Sequence, residues 1–101
     1  MLIYHNVTLN LAELQKLIRS KSAKITIFFK GQRYGIVISD TIFPVEKTSG
    51  RRIDWFKAFG LKKPEELMSM FPIDYIIYER KGKEEIITNF KELEDKLRSI
   101  Q

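Results

Sequence analysis

The chain carries two strand-like apolar runs, the first in clear alternation, and each is interrupted by a lysine-glycine pair. In the first, Ile25, Ile27 and Phe29 lead into Lys30-Gly31-Gln32-Arg33, and Tyr34, Ile36 and Ile38 lead out. In the second, residues 73–79 lead into Arg80-Lys81-Gly82-Lys83, and residues 84–88 lead out. A period of two sends successive side chains to opposite faces of a strand, and a short glycine-bearing turn folds that strand back on its neighbour. The spacing therefore predicts two antiparallel β-hairpins, over 24–39 and 73–88. A further short edge strand is expected within residues 1–5, from Leu2-Ile3-Tyr4.

Helical signals separate the hairpins. Asn10 followed by Glu13 is a capping-box variant, and Leu11, Leu14, Leu17 and Ile18 then form an apolar stripe running to about Lys21. Residues 54–59 read as a short aromatic helix closed by Gly60. Lys63-Pro64-Glu65-Glu66-Leu67 opens another, with proline at the first helical position and two acids where the helix dipole favours them. It ends near Phe71-Pro72. Asn89 and Glu92 repeat the cap, and Phe90, Leu93, Leu97 and Ile100 line a last helix over 89–100. Residues 41–52, with a proline and a Ser49-Gly50 pair, read as a loop that is long for a compact domain. The expected fold is α+β: two antiparallel β-hairpins alternating with three or four helices, the helices packed on one sheet. At 101 residues the chain is expected to be one domain, 1–101. Ile25, Ile27, Phe29, Ile36, Ile38, Tyr75, Ile77 and Ile86 should share the sheet, with Leu14, Ile18, Leu93 and Leu97 covering a face.

Residues 10–39 and 64–88 follow one plan: a Glu-Leu helix, an apolar strand, a Lys-Gly turn and an apolar return. The closing helix 89–100 has the same Glu-Leu core. This echo suggests a tandem helix–hairpin duplication with a seam between its units. Amphipathic helices and lysine-glycine turns are also ordinary in any lysine-rich α+β chain.

Chemistry is mostly excluded. There is no cysteine, which removes disulfides, thiolate catalysis and sulfur-bound zinc. His5 is the one imidazole, so no serine or threonine has a base partner and no multi-histidine metal site exists. Gly31, Gly35, Gly50, Gly60 and Gly82 are isolated, and none sits in a phosphate-loop or dinucleotide-binding spacing. Glu65-Glu66 fits the helix dipole, and Glu84-Glu85 fits local pairing with the basic turn 80–83. No enzyme activity, cofactor or metal is expected. No apolar run approaches the roughly 20 residues of a membrane span. The first eleven residues show neither a basic region nor a small-residue cleavage site, so a cytoplasmic protein without a membrane partner is expected. Asn6-Val7-Thr8 matches a glycosylation pattern, but the passage from strand to helix explains these residues better. Isoleucine and lysine are abundant while amides are few, and with no cysteine this leans toward a thermophile. In composition the chain resembles small proteins of hyperthermophilic archaea and their viruses.

Charge is the most informative feature. The net charge is +5, and it is unevenly spread. Residues 1–63 hold twelve basic residues and four acids, a balance of +8; residues 64–101 hold six and nine, a balance of −3. Aromatic residues are interleaved with the basic ones: Phe28, Phe29, Tyr34, Phe43, Trp55, Phe56 and Phe59. Basic groups neutralise phosphates and exposed rings stack on bases. The expected function is non-enzymatic binding of nucleic acid through the basic loop 47–52 and the turns 30–33 and 80–83. The candidate contacts are Lys30, Arg33, Lys47, Arg51, Arg52, Arg80, Lys81 and Lys83. For Trp55, Phe56 and Phe59, at helical spacing, a core role is the preferred reading. The alternative function is a protein–protein interaction module, with the partner held in the seam between the units or along a sheet edge. The sequence sets no oligomeric state, and a homodimer is compatible with it.

Trp55-Phe56-Lys57-Ala58-Phe59, Gly60-Leu61 and the helix from Pro64 look like a helix-turn-helix. With hairpin 73–88 as a wing tipped by Arg80, Lys81 and Lys83, the element order resembles a winged-helix domain. The recognition helix so implied opens on Pro64-Glu65-Glu66, and Leu67-Met68-Ser69-Met70-Phe71 offers nothing that reads base edges.

Overall fold

A computed structural model of the chain describes residues 10–99. Helix α1 (Leu11–Ser20) is followed by strands β1 (Ala23–Phe29), β2 (Tyr34–Ile38) and β3 (Ile42–Glu46). The short helices α2 (Trp55–Phe59) and α3 (Pro64–Met70) come next, then β4 (Ile73–Arg80), β5 (Lys83–Ile87) and α4 (Phe90–Ser99). The α+β expectation holds: the strands form one five-stranded antiparallel sheet in the order β3-β2-β1-β4-β5.

Local chemistry sets the helix starts. Glu13 N–H donates to Asn10 Oδ1 at 2.8 Å and Asn10 N–H to Glu13 Oε1 at 3.0 Å, which closes the capping box. Glu92 N–H donates to Asn89 Oδ1 at 2.8 Å at the head of α4. Ahead of α3, Lys63 N–H donates to Glu66 Oε1 at 2.7 Å, and Pro64 occupies the first turn. The β4–β5 turn is the tightest. Arg80 pairs with Lys83, so only Lys81 and Gly82 lie between, at φ 54° and 77°. Two successive positive φ values are the signature of a type I′ turn.

One face of the sheet carries Ile25, Ile27, Phe29, Ile36, Ile38, Ile76 and Ile87, all fully buried. Ile18, Leu67, Leu93 and Leu97 pack against it from the helices, also fully buried. Tyr75 and Ile77 belong to the sheet as expected but join the smaller cluster of Phe28, Val37 and Val45 on the opposite face. Ile86, their neighbour on β5, is 59% exposed.

Two expectations are corrected. Residues 41–52 are not a long loop: residues 42–46 are strand β3, paired with β2 from Ile38↔Ile42 to Tyr34↔Glu46. Pro44 hid the strand. Its carbonyl accepts from Ile53 N–H at 3.0 Å, so its backbone polar groups point away from β2. The missing N–H therefore costs the β2–β3 ladder nothing. Residues 51–53 return along the outside of β3, with Glu46 N–H donating to Arg51 O at 2.9 Å and Val45 bridging to Arg52. The winged-helix resemblance also fails. Hairpin β4–β5 does not project, because β4 pairs with β1 from Ala23↔Arg80 to Phe29↔Ile73, and α3 buries Leu67 in the core. The proposed strand in residues 1–5, His5, the Asn6-Val7-Thr8 pattern and Ile100 lie outside the described residues.

The order β2-β1-β4-β5 sets the two hairpins back to back. Each connection from helix to central strand is held by the far end of the other central strand. Lys30 N–H donates to Pro72 O at 2.9 Å, and Arg80 Nε donates to Lys21 O at 2.9 Å. Between the central strands the seam is a hydrogen-bonded ladder rather than a groove.

Candidate nucleic-acid interface

Because β1 and β4 run antiparallel, the turns that follow them lie at opposite ends of the sheet. Lys30, Arg33, Lys47 and Arg51 gather where β3 ends, with Lys47 N–H donating to Arg33 O at 2.9 Å. Arg52 follows on the returning segment. Arg80, Lys81 and Lys83 stand at the other end, beside the start of β1. The sequence-predicted residues therefore do not form one surface.

Several are already engaged. Arg33 grips the Glu46 carboxylate through Nη2 at 2.9 Å and Nε at 3.1 Å. That hydrogen bond raises the Arg33 pKa further above its ordinary value. The Ser49 hydroxyl, at 2.7 Å, and then Arg33 hold the Glu46 carboxyl below the usual glutamate range. Lys47 Nζ lies 3.1 Å from Asp74 and 5.5 Å from the Tyr75 ring centroid. Arg80 is tied to the Lys21 carbonyl. Among the described residues Lys30, Arg51, Arg52, Lys81 and Lys83 form no ion pair.

An open concavity lies next to Arg52. It is an open cleft of about 890 Å³ between β3, residues 52–54, α2 and the α2–α3 corner. Phe43, Arg52, Trp55, Phe56, Leu61, Lys62 and Lys63 are among its lining residues. The Arg52 guanidinium carbon sits 4.2 Å from the Phe43 ring centroid, a cation–π distance. Trp55 is fixed at both ends: its Nε1–H donates to Lys62 O at 2.7 Å, and its ring packs on Phe59 at 5.1 Å. Phe59 is buried and meets Tyr34 edge-on at 6.2 Å.

The core expectation thus holds for Phe59 and, in part, for the half-buried Trp55, and it fails for Phe56. A helix turns about 100° per residue, so position 56 lies about 60° from 59 and about 100° from 55, at the margin of the inward arc, and there it is left on the solvent side. Phe56 is 67% exposed and Leu61 89%. The sequence reading chose neither Phe56 nor Lys62 and Lys63 as contacts. No spacing signal separates Phe56 from Trp55 and Phe59, because the three positions fall within one arc of about 100°, the width of an ordinary apolar stripe.

The cleft is electropositive. Arg52, Lys62 and Lys63 form no ion pair among the described residues, nor do the adjacent Arg51 and Lys57. The one acid in the lining, Asp54, accepts the Lys57 N–H at 3.2 Å as the cap of α2. A smaller notch of about 350 Å³ lies at the opposite end, lined by Tyr78, Arg80, Lys83, Glu84, Glu85, Lys96 and Ser99. There Lys96 Nζ is 2.9 Å from Glu85, and that hydrogen bond raises the Lys96 pKa.

Among the described residues no helix is long and apolar enough to cross a membrane, and no three His, Cys, Asp or Glu side chains cluster as metal ligands would. No protein-family model, curated protein or solved structure matches the chain.

Proposed function

We propose that this chain is a non-enzymatic nucleic-acid-binding protein whose contact surface is the basic cleft beside β3 together with loop 47–52. One observation carries the reading: Arg52, Lys62 and Lys63 line an open cleft and form no ion pair among the described residues, and an exposed aromatic ring stands at its wall. Clustered positive charge without internal neutralisation is what phosphate contact requires, and it sets position without reading sequence. Arg51 and Arg52 keep their role from the sequence reading. Arg33, Lys47 and Arg80 become structural, and Lys81 and Lys83 are too far around the sheet to join the same contact.

Retention on DNA and RNA against salt tests this. Log K is expected to fall linearly with log salt, by about 0.9 per duplex phosphate or 0.7 per single-strand phosphate neutralised. Arg51→Ala with Arg52→Ala should lower that slope by up to about 2 without changing the melt. A flat titration at low salt against both single and double strands would reject the proposal.

A second reading, a protein-interaction module, draws support from the outer edge of β5. It is the last strand of the sheet, and Ile86 beside that edge is 59% exposed. Lys83, Glu84 and Glu85 occupy the same strand, and charged edges discourage strand addition.

A further inference from the structure

Resting on the nucleic-acid reading, we infer that the cleft beside β3 binds single strands, with an unpaired base stacked on Phe56 and the flanking phosphates held by Arg52, Lys62 and Lys63. Three observations lead there. The first is the ring itself. Phe56 is 67% exposed on a short helix whose inward positions are taken by Trp55 and Phe59, and among the described residues it makes no ring contact. A phenyl ring in water gains by meeting another π-face. Bases offer theirs freely only when they are unpaired.

The second is the placement of charge. Arg52, Lys62 and Lys63 line the same cleft as the ring. Arg52 is ordered over Phe43 at 4.2 Å, which presents a guanidinium already fixed in position. Lys62 is held through its own backbone, whose carbonyl accepts the Trp55 indole N–H at 2.7 Å. A backbone anchored on both sides of the cleft lowers the ordering cost of binding.

The third observation concerns duplexes. Reading a duplex takes a helix or two-stranded ribbon that enters the major groove. Helix α3 carries Glu65 and Glu66 in its first turn, where they would face phosphates, and its Leu67 is committed to the core. Hairpin β4–β5 is embedded in the sheet through β4. Neither α3 nor hairpin β4–β5 is suited to insert, whereas an open cleft with one ring and three cations suits a flexible strand.

The test uses Trp55, the single tryptophan, whose indole lines the cleft and reports occupancy by fluorescence. The probes are a short oligothymidylate, a short oligoadenylate and a duplex of equal length, at low salt. Both single strands are expected to bind at least about ten-fold more tightly than the duplex. Phe56→Ala should weaken single-strand binding by about 5- to 150-fold, the range that corresponds to one lost base stack, and leave the salt slope unchanged. Phe56→Trp should restore it. Lys62→Ala with Lys63→Ala should lower the slope by about 1.4, two single-strand phosphates. Since Phe56 is exposed, its variant should melt with the parent. Equal affinity for the duplex, or unchanged binding by Phe56→Ala, would overturn the single-strand assignment and leave the nucleic-acid reading standing. Binding to none of the probes would overturn both. Concentration-dependent sedimentation of the free protein that Phe56→Ala abolishes would assign the face to a second copy of the chain instead.

Discussion

The Tyr78 hydroxyl is buried and makes no hydrogen bond among the described residues. A buried donor without a partner forfeits its hydration and gains nothing in exchange, a cost of about 1–3 kcal/mol. Burial also pushes the phenol pKa above its ordinary value of about 10, against the lowering influence of Arg80 and Lys96. The folded state therefore holds this proton more tightly than the unfolded chain. Its contribution is intact below about pH 10 and is lost as pH rises through the folded value. Tyr78→Phe removes the orphan oxygen and keeps the ring that packs under α4. It is expected to raise stability by about 1 kcal/mol at neutral pH, and the gain should widen above pH 10. Denaturant melts at pH 7 and pH 10.5 check both parts; a destabilised variant would mean that the hydroxyl has an acceptor. Gly35 shows the opposite constraint at the same scale. A Cβ there would stand 2.4 Å from Ile27 O and 2.5 Å from the Phe28 ring, so the position is reserved for glycine by close approach rather than by backbone angle.

At the scale of elements, the strongest periodicities proved the most readable. Both hairpins and both capped helices stand where alternation and Asn-x-x-Glu spacing put them, because each is determined by contacts within a few residues. Leu93 tests the last helix. It is fully buried over the sheet, and Leu93→Ala is expected to lower stability by about 2–5 kcal/mol in a denaturant melt. The turn Lys81-Gly82 gives a finer test. Type I′ geometry demands positive φ at both positions, and lysine at φ 54° is tolerated rather than favoured. Lys81→Asn creates the pair this turn prefers and should stabilise by about 0.5 kcal/mol. A loss of stability would contradict the turn type. Strand β3 was not legible for a physical reason: its evidence is tertiary. Ile42-Phe43-Pro44-Val45-Glu46 contains a residue that argues against a strand, and only the outward orientation of the Pro44 backbone makes it harmless. The candidate site was legible in part. Arg51 and Arg52 announced themselves by charge, whereas Lys62, Lys63 and Phe56 join them only because residues 51–53 run back along β3 and bring the α2–α3 corner alongside.

At the scale of the whole molecule, the sheet is unevenly protected, and that should govern how it opens. Strand β1 lies at the centre, paired on both sides, and all its residues but Lys24 are buried. Opening it means separating both hairpins and exposing the core under α1 and α4 at once. Strand β5 lies at one margin, paired among the described residues with β4 alone, and of its residues Ile87 alone is buried. Strand β3 lies at the other margin but is shielded outside by residues 51–53 and carries the buried Pro44 and Val45. Local opening free energy follows buried apolar contact and solvent access to backbone hydrogen bonds. Native-state hydrogen exchange is therefore expected to rank the strands. The amides of Ile25, Ile27 and Ile76 should exchange only through global unfolding, so their apparent free energy should equal that from denaturant melts. The β2-bonded amides of β3 should come next, and the β4-bonded amides of β5 should exchange through sub-global opening at clearly lower free energy. Leu93→Ala, which loosens the cover nearest β5, should lower β5 protection at least as far as that of β1. Nucleic acid bound in the cleft at the β3 margin should slow the amides of 52–56 and leave β5 unchanged, since the two margins are separated by the full width of the sheet. Equal protection across all the strands would mean that the molecule opens as one unit and that the margins carry no independent stability.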